Sequence, residues 1–200
     1  GGYERTEIEE ILPVQLERAT QYFSDQPFRL RREENLLRHP ILQLEKDSVA
    51  NADAWKNLPE LNGINVGLKP RKDAHVLASS VKSNKTYPVL VAGQAGRGRT
   101  LVMATDSSWN WNFRRIGEGG SGRHYYKFWN NLVAWLTDDP ETRLLQLETD
   151  KERYEEGEEV LVRVRAFQDD YNPAVESEVL LSIRNRSDPL ATVSLKTDEN

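Results

Sequence analysis

The sequence predicts an α/β domain followed by the start of an antiparallel β-sandwich. Three observations predict it. Apolar, β-branched segments recur between His75 and Thr105, broken by glycine-rich turns. Tyr125 to Leu136 carries its large apolar residues at helical spacing. Past Pro140 the period changes to two, which is the period of a strand.

Thr6 to Leu12 begins as a short helix, with Thr6 as cap and Glu9 three positions on as in a capping box, and Pro13 ends it. Phe28 to Arg32 alternates apolar and charged residues and predicts one half-exposed strand. His39-Pro40-Ile41-Leu42 reads as a turn, and Asp53 to Leu61 as a short helix or turn ending at Asn62-Gly63. His75–Val81, Pro88–Ala92 and Thr100–Thr105 are predicted strands, the last two joined by a turn over Gly93 to Gly98. Residues 107–123, rich in Trp, Gly and Arg, show little periodicity and are expected to form a solvated loop. In the helix that follows, Tyr125, Phe128, Trp129, Leu132, Val133, Trp135 and Leu136 are expected to face the core. Asp138-Asp139-Pro140 stops that helix.

Beyond Pro140, strands are expected over Arg143–Glu148, Val160–Ala166, Val179–Ile183 and Ala191–Leu195. Turns are expected at Glu156-Gly157-Glu158 and over Asn185 to Pro189. These strands predict domain boundaries at 1–139 and 140–200, and about four of them are too few for a complete seven-stranded sandwich.

Composition limits the chemistry. The chain has 200 residues, 38% hydrophobic and 30% charged, which suits a packed core. It has no cysteine, so these residues provide no disulfide, Cys–zinc site or thiol nucleophile. No apolar run approaches the length of a membrane-spanning helix. The opening Gly1-Gly2-Tyr3, without Met, reads as part of a longer protein. Residues 140–200 hold 15 acidic and 8 basic side chains, against 17 acidic and 19 basic in residues 1–139. The acidic tail argues against a nucleic-acid partner, which needs clustered cations. No cofactor is indicated.

Candidate site residues follow the Thr100–Thr105 strand. Asp106 is placed to hydrogen-bond a ligand at the carboxyl end of a strand, and Trp109 and Trp111 to stack on a sugar or peptide. The competing reading, which weighs more, has both Trp residues anchoring the loop and Asp106 capping it. Arg97 and Arg99, with Arg114, Arg115 and Arg123 among glycines, suit an anion, though the spacing is not that of a phosphate loop and a solvated loop is favoured. His124 pairs with Asp106 as a general base if the loop folds back. The three histidines lack metal-ligand spacing. No serine sits in a nucleophile elbow. Glu152 to Glu159 lacks the spacing of a calcium loop and reads as a solvated turn.

Several segments also carry a family likeness. They are Gly1-Gly2-Tyr3 to Leu12-Pro13-Val14, His39-Pro40-Ile41-Leu42, Gly96-Arg97-Gly98-Arg99 running on to Thr105-Asp106-Ser107-Ser108-Trp109-Asn110-Trp111, and Tyr126-Lys127-Phe128-Trp129-Asn130-Asn131-Leu132-Val133-Ala134-Trp135-Leu136. Together they resemble the C-terminal half of class I glutamine amidotransferase-like domains in large bacterial membrane-anchored proteins, over residues 1–139. Residues 143–200, with Tyr154-Glu155-Glu156-Gly157-Glu158, look like the bacterial immunoglobulin-like module that commonly follows. The resemblance implies a flavodoxin-like sheet flanked by helices and a periplasmic or otherwise extracytoplasmic setting. It does not imply glutaminase activity, because the family's Cys nucleophile is missing.

The leading expectation is a non-catalytic binding or scaffold segment of a membrane-anchored protein, touching the membrane only through its parent and taking a protein partner or small ligand. The rival is an enzyme acting on a carbohydrate or peptide through Asp106 and His124. A third class is a purely structural linker.

Overall fold

A computed structural model describes residues 3, 5–17, 23–82, 84–155, 157–185 and 188–198. Gly1, Gly2, the expected turn at Glu156 and the middle of the expected Asn185–Pro189 turn lie outside the described residues. The chain divides into two compact units, Gly1–Asp139 and Pro140–Asn200.

In chain order, the first unit contains helix α1 (Glu7–Ile11) and strands β1 (Val14–Leu16), β2 (Phe23–Phe28) and β3 (Arg31–Arg32). Helix α2 (Ser48–Lys56) and strands β4 (Leu61–Asn65), β5 (Leu68–Pro70), β6 (His75–Lys82), β7 (Lys85–Ala95) and β8 (Gly98–Met103) follow, then helices α3 (Asn110–Gly117) and α4 (Arg123–Leu136). The main sheet is four-stranded in the order β3-β6-β7-β8, and β1 pairs with β5 and β2 with β4 in two smaller ladders. The unit is thus mixed α/β. Every pairing among the described residues is antiparallel, so the flavodoxin-like parallel sheet implied by the resemblance is not seen there.

Why the two central strands form is plain in their residues. Leu77, Ala78, Ser79 and Ser80 of β6 and Val89, Leu90, Val91 and Ala92 of β7 are buried in unbroken runs, so both faces of the sheet are covered. The β7–β8 hairpin closes on a two-residue turn, with Ala95 opposite Gly98. Gly96 takes φ +60 there, a left-handed conformation that glycine adopts without a Cβ penalty. Gly93 to Ala95 therefore belong to the strand, not to the turn expected over Gly93 to Gly98. α4 lies against β8, where the Arg99 guanidinium donates to Trp135 O at 2.6 Å, sits 5.2 Å from the Trp135 ring and pairs with Asp138 at 2.7 Å.

Other expectations change. The single strand over Phe28 to Arg32 is two elements: β2 pairs with β4 and ends at Phe28, while β3 pairs with β6. Thr6 precedes α1, but its hydroxyl donates to Tyr3 O, and Glu9 accepts from Arg5 N and Leu16 N rather than closing a capping box. The helix expected over Asp53 to Leu61 begins earlier, at Ser48, because Asp47 accepts from Ala50 N as its cap. Leu61 is instead the first residue of β4. Residues 107–123 are not a loop: a 3-10 turn over Ser107–Trp109 leads into α3. On α4, Phe128, Leu132 and Trp135 are buried as expected, but Val133 is exposed.

In the second unit, β9 (Leu145–Thr149) pairs antiparallel with β10 (Val162–Ala166), and β11 (Glu178–Asn185) with β12 (Asp188–Lys196). These are two separate two-stranded sheets among the described residues. The alternating segments form strands, and a sandwich is not seen among the described residues.

Candidate functional site

The site is built outward from a loop. Residues 42–45 follow the 3-10 turn Pro40–Leu42, which His39 caps by accepting from Ile41 N through Nδ1 at 3.3 Å. Burial pushes the His39 imidazole down to about 3, with His75 and Arg99 adding to the effect, so it is neutral and accepts at Nδ1. Three side chains then grip the loop. Asn51, buried in α2, accepts from Leu44 N at 2.9 Å and donates to Leu42 O at 3.1 Å. Trp55 donates through Nε1 to the same Leu42 carbonyl at 2.8 Å. Asn131 of α4 donates to Gln43 O at 2.7 Å. Backbone groups held this way fix where the next side chain, Glu45, points.

Glu45 points at the start of α4. Its Oε1 lies 2.9 Å from His124 Nε2, and the Arg123 guanidinium donates to the same oxygen. The hydrogen bond from His124 is the largest influence holding this carboxyl below its usual range; desolvation opposes it, and the Arg123 charge assists. A carboxylate at a helix N-terminus also faces the positive end of the helix dipole. A cleft of about 260 Å³ opens beside this cluster, lined also by Asp53, Arg115 and Ser121. Among the described residues, neither Asp53 nor Arg115 is in an ion pair, so the cleft presents one negative and one positive side chain to whatever enters it.

The segment joining α3 to α4 is largely exposed but is pinned at its end, where Gly122 is buried. A Cβ at Gly122 would stand 1.9 Å from Asn112 Oδ1, so only glycine permits this approach. Asn112 is itself buried and donates to the Tyr126 hydroxyl at 3.3 Å.

The structure separates the other candidates. Trp111 is 1% exposed and sits edge-on to Trp55 and Phe128, at 5.8 and 5.1 Å, with Nε1 donating to Pro59 O. It is a core residue whose ring packs against other aromatic rings. Trp109 is half exposed and touches Phe113, their rings 6.4 Å apart. Asp106 is exposed before the 3-10 turn and makes no capping bond with its side chain. Arg97 is exposed in the β7–β8 turn, and Arg99 is engaged with Trp135 and Asp138. β8 runs antiparallel to β7, so Asp106 does not follow a strand of a parallel sheet, whose carboxyl edge is where ligand crevices form. Ser107 is buried, accepting from Asn62 N at 2.9 Å and bonded to Thr105 Oγ1 at 2.9 Å.

Glu45 and Asn51 carry no motif in the sequence. The one signal for them is the Asp47 cap, which starts α2 early enough to put Asn51 over the loop. In the acidic stretch of the second unit, Glu158 accepts from Lys151 Nζ at 3.1 Å and from Glu155 N at 3.0 Å. Among the described residues no group of His, Asp or Glu side chains is arranged to hold a metal ion.

Comparison with known proteins gives a family and a partial likeness. A family model, GATase1-like, described as "Putative glutamine amidotransferase", matches residues 1–138. No curated protein matches. Among solved structures, Cytoplasmic Protein STM3548 from Salmonella typhimurium is 21% identical, with 67% of this chain and 47% of that protein covered and a TM-score of 0.49. Cytoplasmic Protein STM1381 from Salmonella typhimurium LT2 is also 21% identical, with the same coverage and a TM-score of 0.44. The chain therefore spans about half the length of the solved proteins it matches, 47% in each case. The expectation of a periplasmic, membrane-anchored setting is corrected, as it finds no support. Those solved proteins are named as cytoplasmic, and no helix among the described residues is long and apolar enough to cross a membrane.

Proposed function

With residues 1–138 matched, the chain belongs to the GATase1-like family, and from that premise we propose that its first unit is a binding domain that recognises a small zwitterion, such as glutamine, without turning it over. The carrying observation is the Glu45–His124 pair, 2.9 Å apart on the wall of a small polar cleft in a chain that supplies no thiol. A His–carboxylate pair can orient and polarise a ligand, but amide hydrolysis by covalent catalysis also needs a nucleophile beside it. Arg115 and Asp53 offer complementary charges to an α-carboxylate and an α-ammonium group. Within this reading the second unit is a spacer or docking module of immunoglobulin-like kind, a reading supported by its alternating antiparallel strands.

Calorimetric titration of the 200-residue chain with L-glutamine, with released ammonia assayed in parallel, tests the proposal. Saturable heat without ammonia is expected, and Arg115→Gln should weaken it by about tenfold, the worth of one charge-assisted hydrogen bond. Absence of heat would sink the proposal. One rival retains support from the same pair: an enzyme in which Glu45, rather than Asp106, serves His124 as acid–base partner. Turnover of a carbohydrate or peptide that is abolished by Glu45→Gln while the fold persists would establish that rival.

A further inference from the structure

A second, larger cleft of about 730 Å³ opens beside α2 and β3. Leu37, Leu58 and Trp55 give it an apolar wall, and Arg31, Arg32 and Lys56 bring three cations to it. Arg29, a fourth cation, is already engaged: it pairs with Glu60 at 3.4 Å and donates to Leu58 O at 2.8 Å. Among the described residues no carboxylate is paired with Arg31, Arg32 or Lys56, and Glu34 is the one acidic residue in the lining. Of these cations Arg32 is half-buried against the cleft wall and has lost part of its hydration, a cost that an incoming anion relieves.

We propose that this cleft binds a small organic anion, a carboxylate or phosphate group carried on an apolar body, with Arg32 and Lys56 holding the anionic group. The volume is in the range of small-molecule sites, which pair apolar walls with a few placed polar groups. The Arg32 guanidinium lies 5.6 Å from the Trp55 ring, a cation–π arrangement that fixes it before any ligand arrives. Trp55 is anchored in turn by its bond to Leu42 O. A planar guanidinium already in place can meet a carboxylate or phosphate with two parallel bonds at reduced entropic cost. Burial also draws the Arg32 guanidinium below its usual value. The proposal does not rest on the Glu45–His124 reading, although the two clefts share Asn57, Leu58 and Trp111 in their walls.

The test is calorimetry on the 200-residue chain with phenyl phosphate, benzoate, inorganic phosphate and phenol as probes. Phenyl phosphate and benzoate are expected to bind, inorganic phosphate more weakly for want of the apolar body, and phenol, which lacks the charge, not measurably. Arg32→Gln and Lys56→Gln should each weaken phenyl phosphate by about tenfold. Arg114→Gln, whose side chain pairs with Glu118, should leave it unchanged. Lys56 is exposed, so its variant keeps the test valid if Arg32→Gln fails to fold. The proposal is overturned by any of three results: neither organic anion binds at millimolar concentration, affinity is indifferent to both variants, or inorganic phosphate binds as tightly as phenyl phosphate. Loss of binding in Arg115→Gln but not in Lys56→Gln would place the anion in the other cleft and equally overturn it.

Discussion

In the first unit, Leu77, Val89, Leu90 and Val91 are sealed from solvent, and Trp55, Trp111 and Phe128 meet edge to face beneath α2, α3 and α4. In the second, Leu147, Leu161 and Leu180 are 55%, 62% and 69% exposed, and no hydrophobic side chain is buried among the described residues. Both units have strands, and both have alternating or apolar segments that predict them. The difference is a second layer. Hydrogen-bonded pairing orders a hairpin, but stability comes from apolar area removed from water, and a two-stranded ladder has nothing to remove it against.

The largest effect expected from this contrast is at Trp111. Trp111→Ala should cost about 3–5 kcal/mol, through the lost area and the cavity left between Trp55 and Phe128. All five tryptophans, at positions 55, 109, 111, 129 and 135, lie in the first unit, so urea unfolding followed by their fluorescence reports on that unit alone. A Trp111→Ala variant with an unchanged midpoint would break the contrast.

A smaller effect is expected at His39. Its folded value, about 3, lies below the ordinary value of 6.5, so the unfolded chain takes up a proton that the folded chain refuses. The stabilising contribution is therefore fully present above pH 6.5 and declines as the pH falls toward about 3. The slope is about 1.4 kcal/mol per pH unit. His39→Asn keeps an acceptor for Ile41 N and cannot titrate. Its stability, read from tryptophan fluorescence, should fall less steeply between neutral pH and pH 4, and parallel slopes would show that His39 is not the titrating group. The smallest effect is expected in the second unit, where Leu180→Ser should change stability by less than about 0.5 kcal/mol in circular-dichroism melts.

What the sequence reveals follows the same physics. β6 and β7 were legible because strands covered on both faces leave long runs with few charges, β8 because Leu101, Val102 and Met103 follow a glycine turn, and α4 because its buried residues recur at helical spacing. α3 was not legible because its pattern is inverted. Asn110 and Asn112 are buried with Trp111, while Phe113 and Ile116 are 67% and 54% exposed. A hydrophobicity pattern cannot report a helix that turns amides inward. The strand expected over Phe28 to Arg32 failed because alternation does not say which partner each residue pairs with. His124 was recognisable as a candidate from its residue type, but its carboxylate partner was not. Glu45 is 79 positions away and reaches His124 only because Asn51, Trp55 and Asn131 hold the loop.

The binding claim is tested most directly by nitrogen NMR of the three imidazoles, His39, His75 and His124, during addition of L-glutamine to the whole chain. A saturable shift is expected at His124, with His39, sealed in the core, unmoved. A titration to saturation in which the His124 ring nitrogens stay still would contradict it.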